Sequence, residues 1–107
     1  MRWNAALVLT LAAVAAVPAP AQDAQSLYIR SLAATCANCH GTQGRAQDGS
    51  SVVSLAGLPQ ETIVAQMKAF QSVARSATIM HQLSKGYSDA QIAQIAAYFA
   101  AQSPIGR

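Results

Sequence analysis

Apolar positions along this chain change their period several times, and each change marks an element. Residues Ala5 to Val17 are apolar almost without a break, a run shorter than the roughly 20 residues a membrane-spanning helix needs. From Ser26 to about Thr35, Leu27, Ile29, Leu32 and Ala33 fall largely on one side, with Arg30 outside it, which predicts an amphipathic helix. The pattern then disappears. Between Cys39 and Gly57 the chain carries Gly41, Gly44, Gly49 and Gly57 among Ser, Asp and Gln, the turn chemistry of a long irregular loop. Loops of that length in small domains usually serve function.

Helical spacing returns after Pro59, a residue suited to the first turn of a helix. Ile63, Met67 and Phe70 form its apolar stripe at i, i+4 and i+7. The following "SVARSATIM" has no clean period and reads as loop, and "MHQLSK" supports one or two turns ended by Gly86. Ser88 opens the last helix, with Gln91 three residues on in a capping-box pattern. Ile92, Ile95, Ala96 and Phe99 line one face, and the helix is expected to fade near Gln102-Ser103-Pro104. Four helical segments and no convincing strand predict an all-α domain.

Composition adds a compartment. Arg2, the apolar run and the closing Ala19-Pro20-Ala21 match the three regions of a secretory signal peptide. Cleavage after Ala21 would leave a domain of residues 22–107, exported to the periplasm, with no cysteine at the cut to carry a lipid and no stable membrane insertion. The remaining cations, Arg30, Arg45, Lys68, Arg75, Lys85 and Arg107, slightly outnumber Asp23, Asp48, Glu61 and Asp89. They are scattered, so nucleic-acid binding has no support. A domain this small buries only about 60% of its unfolded surface, and alanine contributes little to a core. Something besides side chains is expected to fill the middle.

Both cysteines of the 107-residue chain sit in "TCANCHG", beside one of its two histidines. Three chemistries compete for that motif. A redox disulfide of the C-x-x-C kind expects a βαβ setting, which the pattern lacks. Zinc wants four ligands, or three and a water. Cys36, Cys39, His40 and the distant His81 are the candidates, and the adjacent Cys39 and His40 reach one tetrahedral ion poorly. The third is C-x-x-C-H as the attachment signature of c-type haem, and it is the favoured reading. Cysteines three apart on a helical turn bring both sulfurs to the vinyl groups of one porphyrin edge, and His40 then points at the iron.

The sixth iron ligand decides between electron transfer and small-molecule chemistry. Met/His ligation raises the potential and suits electron transfer. Met1 leaves with the signal peptide, and Met67 sits on an apolar stripe as core filler. Met80, in an unpatterned segment before the last helix, is the favoured distal ligand. Met67 and His81 stay open as alternatives, His81 giving a bis-histidine haem of lower potential. A ligating imidazole usually donates its other N–H to a carbonyl, expected here from the loop around Val53, Ser54 and Leu55. Arg75, Ser76 or Thr78 are candidate partners for a haem propionate.

"CANCHG", "SLAGLP", "AQMKAF" and "ATIMHQLSKGYSDAQIAQIAAYFAAQ" together resemble the small class I cytochromes c over nearly the whole mature chain. The resemblance implies a helical shell around one covalent haem c, with first and last helices crossing at Tyr98 or Phe99. It places Cys36 and Cys39 at the thioethers, His40 at the proximal position and Met80 at the distal one. Within that family the chain is similar to the cytochrome subunit of flavocytochrome c sulfide dehydrogenase. There an FAD-bearing flavoprotein oxidises sulfide and passes electrons to the haem subunit. The implied role is an electron carrier with redox partner proteins and no enzyme activity of its own. A free-standing periplasmic shuttle is the alternative, and a haem enzyme or gas sensor with an open iron is a third class that Met80 argues against. Relatives often place a proline where this chain has Val53, and some carry two haems where this chain has a single C-x-x-C-H.

Overall fold

The computed structural model describes residues 21–104. Apart from Ala21, the expected signal peptide of residues 1–21 therefore lies outside the described residues. These form helices and loops only: α1 (Ala21–His40), α2 (Gln60–Gln71), α3 (Met80–Leu83) and α4 (Asp89–Ala100). Short 3₁₀ turns follow α1 at Thr42–Gly44 and α3 at Ser84–Gly86. The predicted all-α class is what is observed.

α1 is longer than its apolar pattern. Neither glycine nor proline occurs between Ala21 and His40, so nothing stops the helix before Gly41. There the backbone turns to φ 85°, a conformation that suits glycine. A Cβ at Gly41 would lie 1.8 Å from the Arg45 carbonyl oxygen, so no other residue fits the turn. The 20 residues of α1 span about 30 Å, against about 18 Å for the 12 of α4. Its first turns therefore project past the helix it packs on. Leu27, expected on the apolar side, is 65% exposed, while Ala33 is buried.

The core is built where the periodicity placed it. Ala33 of α1, Ile63 and Met67 of α2, and Ile92, Ile95, Ala96 and Phe99 of α4 form one cluster. α4 is the hub, packed on both α1 and α2, with α3 resting on α2. Phe99 is fully buried, worth about 3 kcal/mol in side-chain transfer, and meets Tyr98 edge to face at 5.2 Å. Ser88 caps α4: its hydroxyl accepts the Gln91 amide at 3.1 Å, and Gln91 Oε1 accepts the Ser88 amide at 3.0 Å. The reciprocal box satisfies donors that the first helical turn leaves free.

The long loop docks through backbone bonds. The Gly44 carbonyl accepts the Leu55 amide at 2.7 Å and the Ala56 amide at 3.1 Å, and the Gly57 amide donates to Phe99 O at 2.9 Å. These bonds hold residues 53–57 between the end of α1 and α4.

Candidate functional site

The last turn of α1 carries Cys36, Cys39 and His40 together. Helical geometry places Cys36 and Cys39, three residues apart, on neighbouring positions of one face. Cys36 is half-buried against the core cluster and Cys39 is exposed. Burial pushes the Cys36 thiol above its ordinary range. A half-buried thiol beside an exposed one presents one sulfur to the interior and one to the rim.

His40 is buried. Its Nδ1 lies 2.7 Å from the Val53 carbonyl oxygen. A carbonyl only accepts, so Nδ1 carries the proton and Nε2 keeps its lone pair for a metal. The loop expected to supply this partner does supply it, through Val53.

Met80 opens α3 and rests, partly buried, on the same core cluster as Cys36. Met67 lies within that cluster on α2, as a core filler should. His81 is half-buried, and its Nδ1 is shielded with no partner among the described residues. Ser84 Oγ is likewise unpartnered, in a residue with no exposure at all. Arg75 is turned back onto α2, its guanidinium 4.8 Å above the Phe70 ring and bonded to Gln66 Oε1. Ser76 and Thr78 are exposed.

Large apolar side chains stand open beside both halves of the site. Val53, whose carbonyl holds His40, is 58% exposed; Ile79 and Leu83, flanking Met80, are 53% and 47% exposed. α1 and α3 make no extensive contact with one another. A flat apolar group with a metal at its centre fits this donor set: two thiols on one helical face, one imidazole with a fixed tautomer, and a thioether on a separate element. An open polar cleft of about 740 Å³ lies between the end of α1 and the loop that follows it, lined by Asn38, Cys39, Arg45 and Asp48 among others. It includes neither His40 nor Met80, so it does not collect the donor set.

Two polar residues meet at a contact that the sequence does not signal. Thr35 and Tyr87 are 52 residues apart and meet at 2.6 Å. Neither carries a motif, and only the packing of α1 beside the end of the α3 segment brings them together.

Two known proteins resemble this chain over much of its length. A thiosulfate dehydrogenase electron acceptor of Thiomonas intermedia (strain K12) is 33% identical over 75 residues, 70% of this chain and 35% of that protein. A cytochrome subunit of sulfide dehydrogenase of Chlorobaculum tepidum (strain ATCC 49652 / DSM 12025 / NBRC 103806 / TLS) is 39% identical over 69 residues, 64% of this chain and 60% of that protein. This chain thus spans less than two thirds of the length of either relative. The family model "Cytochrome c" matches residues 21–103, every described helix included. The chain belongs to the cytochrome c family, whose members bind haem and typically carry electrons.

Proposed function

We propose that residues 22–107, exported and freed of residues 1–21, hold one haem c through Cys36 and Cys39, with His40 and Met80 as axial ligands. The observation that carries this reading is the 2.7 Å bond between His40 Nδ1 and Val53 O, made at the end of the helix that bears both thiols. It fixes the ring, sets the tautomer and leaves Nε2 to bind metal. The bound haem supplies a one-electron couple. The protein's part is to hold the two ligands in place, keep water from the metal and let an electron pass at an apolar rim. Val53, Ile79 and Leu83 supply that rim.

The donor is a sulfide-oxidising flavoprotein in the periplasm, with this chain as its electron-accepting haem subunit. The support is the similarity to the Chlorobaculum sulfide dehydrogenase subunit and the exposed apolar surface, which suits a lasting protein contact. A second reading is an independent acceptor serving another sulfur-compound dehydrogenase, favoured by the similarity to the Thiomonas protein. Gel filtration of a native periplasmic extract, followed by haem absorbance and flavin fluorescence, separates the two. Co-elution with haem reduction on adding sulfide is the expected result. Haem that elutes alone, is untouched by sulfide and is reduced by a thiosulfate-oxidising fraction supports the second reading.

A further inference from the structure

The segment that carries Met80 is secured on one side only. After α2 the amides of Ser72, Val73 and Arg75 return to Lys68, Phe70 and Ala69. Ser76, Ala77 and Thr78 then make no backbone–backbone hydrogen bond among the described residues. Beyond Met80 the anchoring resumes. Gln71 Nε2 donates to the carbonyls of Ser84 at 2.9 Å and Tyr87 at 3.0 Å, tying the end of the segment to α2. Those bonds leave its relation to α1 open.

One hydrogen bond among the described residues joins the 72–88 segment to α1: Tyr87 Oη and Thr35 Oγ1, 2.6 Å apart. Its direction follows from valence. Thr35 Oγ1 spends its single proton on the Leu32 carbonyl at 2.8 Å, so the Tyr87 phenol must be the donor. Thr35 immediately precedes Cys36, at the root of the haem-attachment turn. Tyr87 follows the 3₁₀ turn that continues α3, and its side chain packs against the core cluster. A rigid phenol thus bridges the helix of the proximal ligand and the segment of the distal one.

We infer that Tyr87 and Thr35 form a clasp that positions Met80 relative to His40, so that breaking it raises the fraction of protein in which Met80 has left the iron. This rests on the reading of Met80 as distal ligand. Tyr87 and Thr35 touch neither iron nor substrate; both act through the Met80 segment as positioning residues. The loss of one neutral hydrogen bond should change that open fraction by about two- to twelvefold.

Exogenous imidazole reads the open fraction, because it reaches ferric iron only where the distal ligand is displaced. In the ferric holoprotein, Tyr87→Phe and Thr35→Val should each raise the apparent imidazole affinity by about two- to twelvefold. The double variant should gain no more than either single one, and Thr35→Ser, which keeps the hydroxyl, should stay near the parent. Helical circular dichroism and the covalent haem content should be unchanged, as both substitutions keep the shape of the side chain. In a Met80→Ala background the distal site is already open, so Tyr87→Phe should no longer matter. Unchanged affinity in both single variants overturns the clasp, and so does a Tyr87→Phe effect that persists without Met80. A parent protein lacking the ferric sulfur-to-iron band fails differently: it overturns the Met80 assignment, and the clasp with it.

Discussion

His40 Nδ1 and the Val53 carbonyl oxygen stand 2.7 Å apart across 13 residues of chain, and Gly44 is what holds the carbonyl in position. The Gly44 carbonyl binds the Leu55 and Ala56 amides, pinning the strand of loop that starts at Val53. Gly44 itself adopts φ 77°, and a Cβ there would approach the Phe99 ring to 2.6 Å. Gly44→Ala should therefore cost about 1–3 kcal/mol through overpacking, with a further cost from the left-handed backbone. Chemical denaturation measures the loss. A variant as stable as the parent would contradict the close packing of this turn.

Met67 and Met80 are separated by position, and their substitutions should separate by readout. Met67→Leu conserves volume in the core, so it should cost less than about 1.5 kcal/mol and leave the ferric sulfur-to-iron band intact. Met80→Leu should abolish the band and lower the reduction potential, since the thioether favours the reduced iron. The near-infrared ferric spectrum and a redox titration decide it. Loss of the band in Met67→Leu alone would transfer the ligand role to α2.

Ser84 offers a test of polar burial. Its side chain has no exposure, and its hydroxyl finds no partner among the described residues. An unmade buried hydrogen bond costs on the order of 1–3 kcal/mol. Ser84→Ala should then stabilise the protein by about 1 kcal/mol, raising the denaturation midpoint with an unchanged slope. A clear loss of stability would show that the hydroxyl is satisfied in solution.

The α4 cap should behave as an independent local element. Ser88→Ala removes the acceptor of the Gln91 amide and should cost about 1 kcal/mol. By contrast, Asp89→Asn breaks a 2.5 Å bridge to Lys68 between side chains 48% and 80% exposed. It should change stability by no more than about 1 kcal/mol, an effect that fades in high salt. Thermal unfolding of both variants at low and high ionic strength checks the contrast.

Local chemistry made much of this legible in advance. The stripes Ile63–Met67–Phe70 and Ile92–Ile95–Ala96–Phe99 were visible because burial imposes helical spacing on apolar residues. The Ser88–Gln91 box was visible because both partners lie within one turn. The stretch Val53–Ser54–Leu55 was expected to hold a carbonyl for His40 because a ligating imidazole usually donates its other N–H, and the fold selects Val53 from it. The length of α1 was less clear, since its first turns project past α4 and carry no core pattern to read. Pairs such as Thr35–Tyr87 and Tyr28–Gln91 were hidden altogether. They join residues far apart in the chain through hydroxyl and amide groups, which have no periodicity. Arg75, a plausible propionate partner on charge alone, is held on Phe70 and Gln66, which a sequence cannot display.

The central claim is that Cys36 and Cys39 hold haem covalently, and acid–solvent extraction of the exported protein followed by intact-mass measurement tests it most directly. The haem is expected to stay with the protein, adding the mass of one haem to residues 22–107. A Cys36→Ala, Cys39→Ala double variant should release any haem into the solvent. A parent protein that yields its haem to the solvent, or that has the mass of the bare chain with a disulfide or a bound zinc ion, would contradict it.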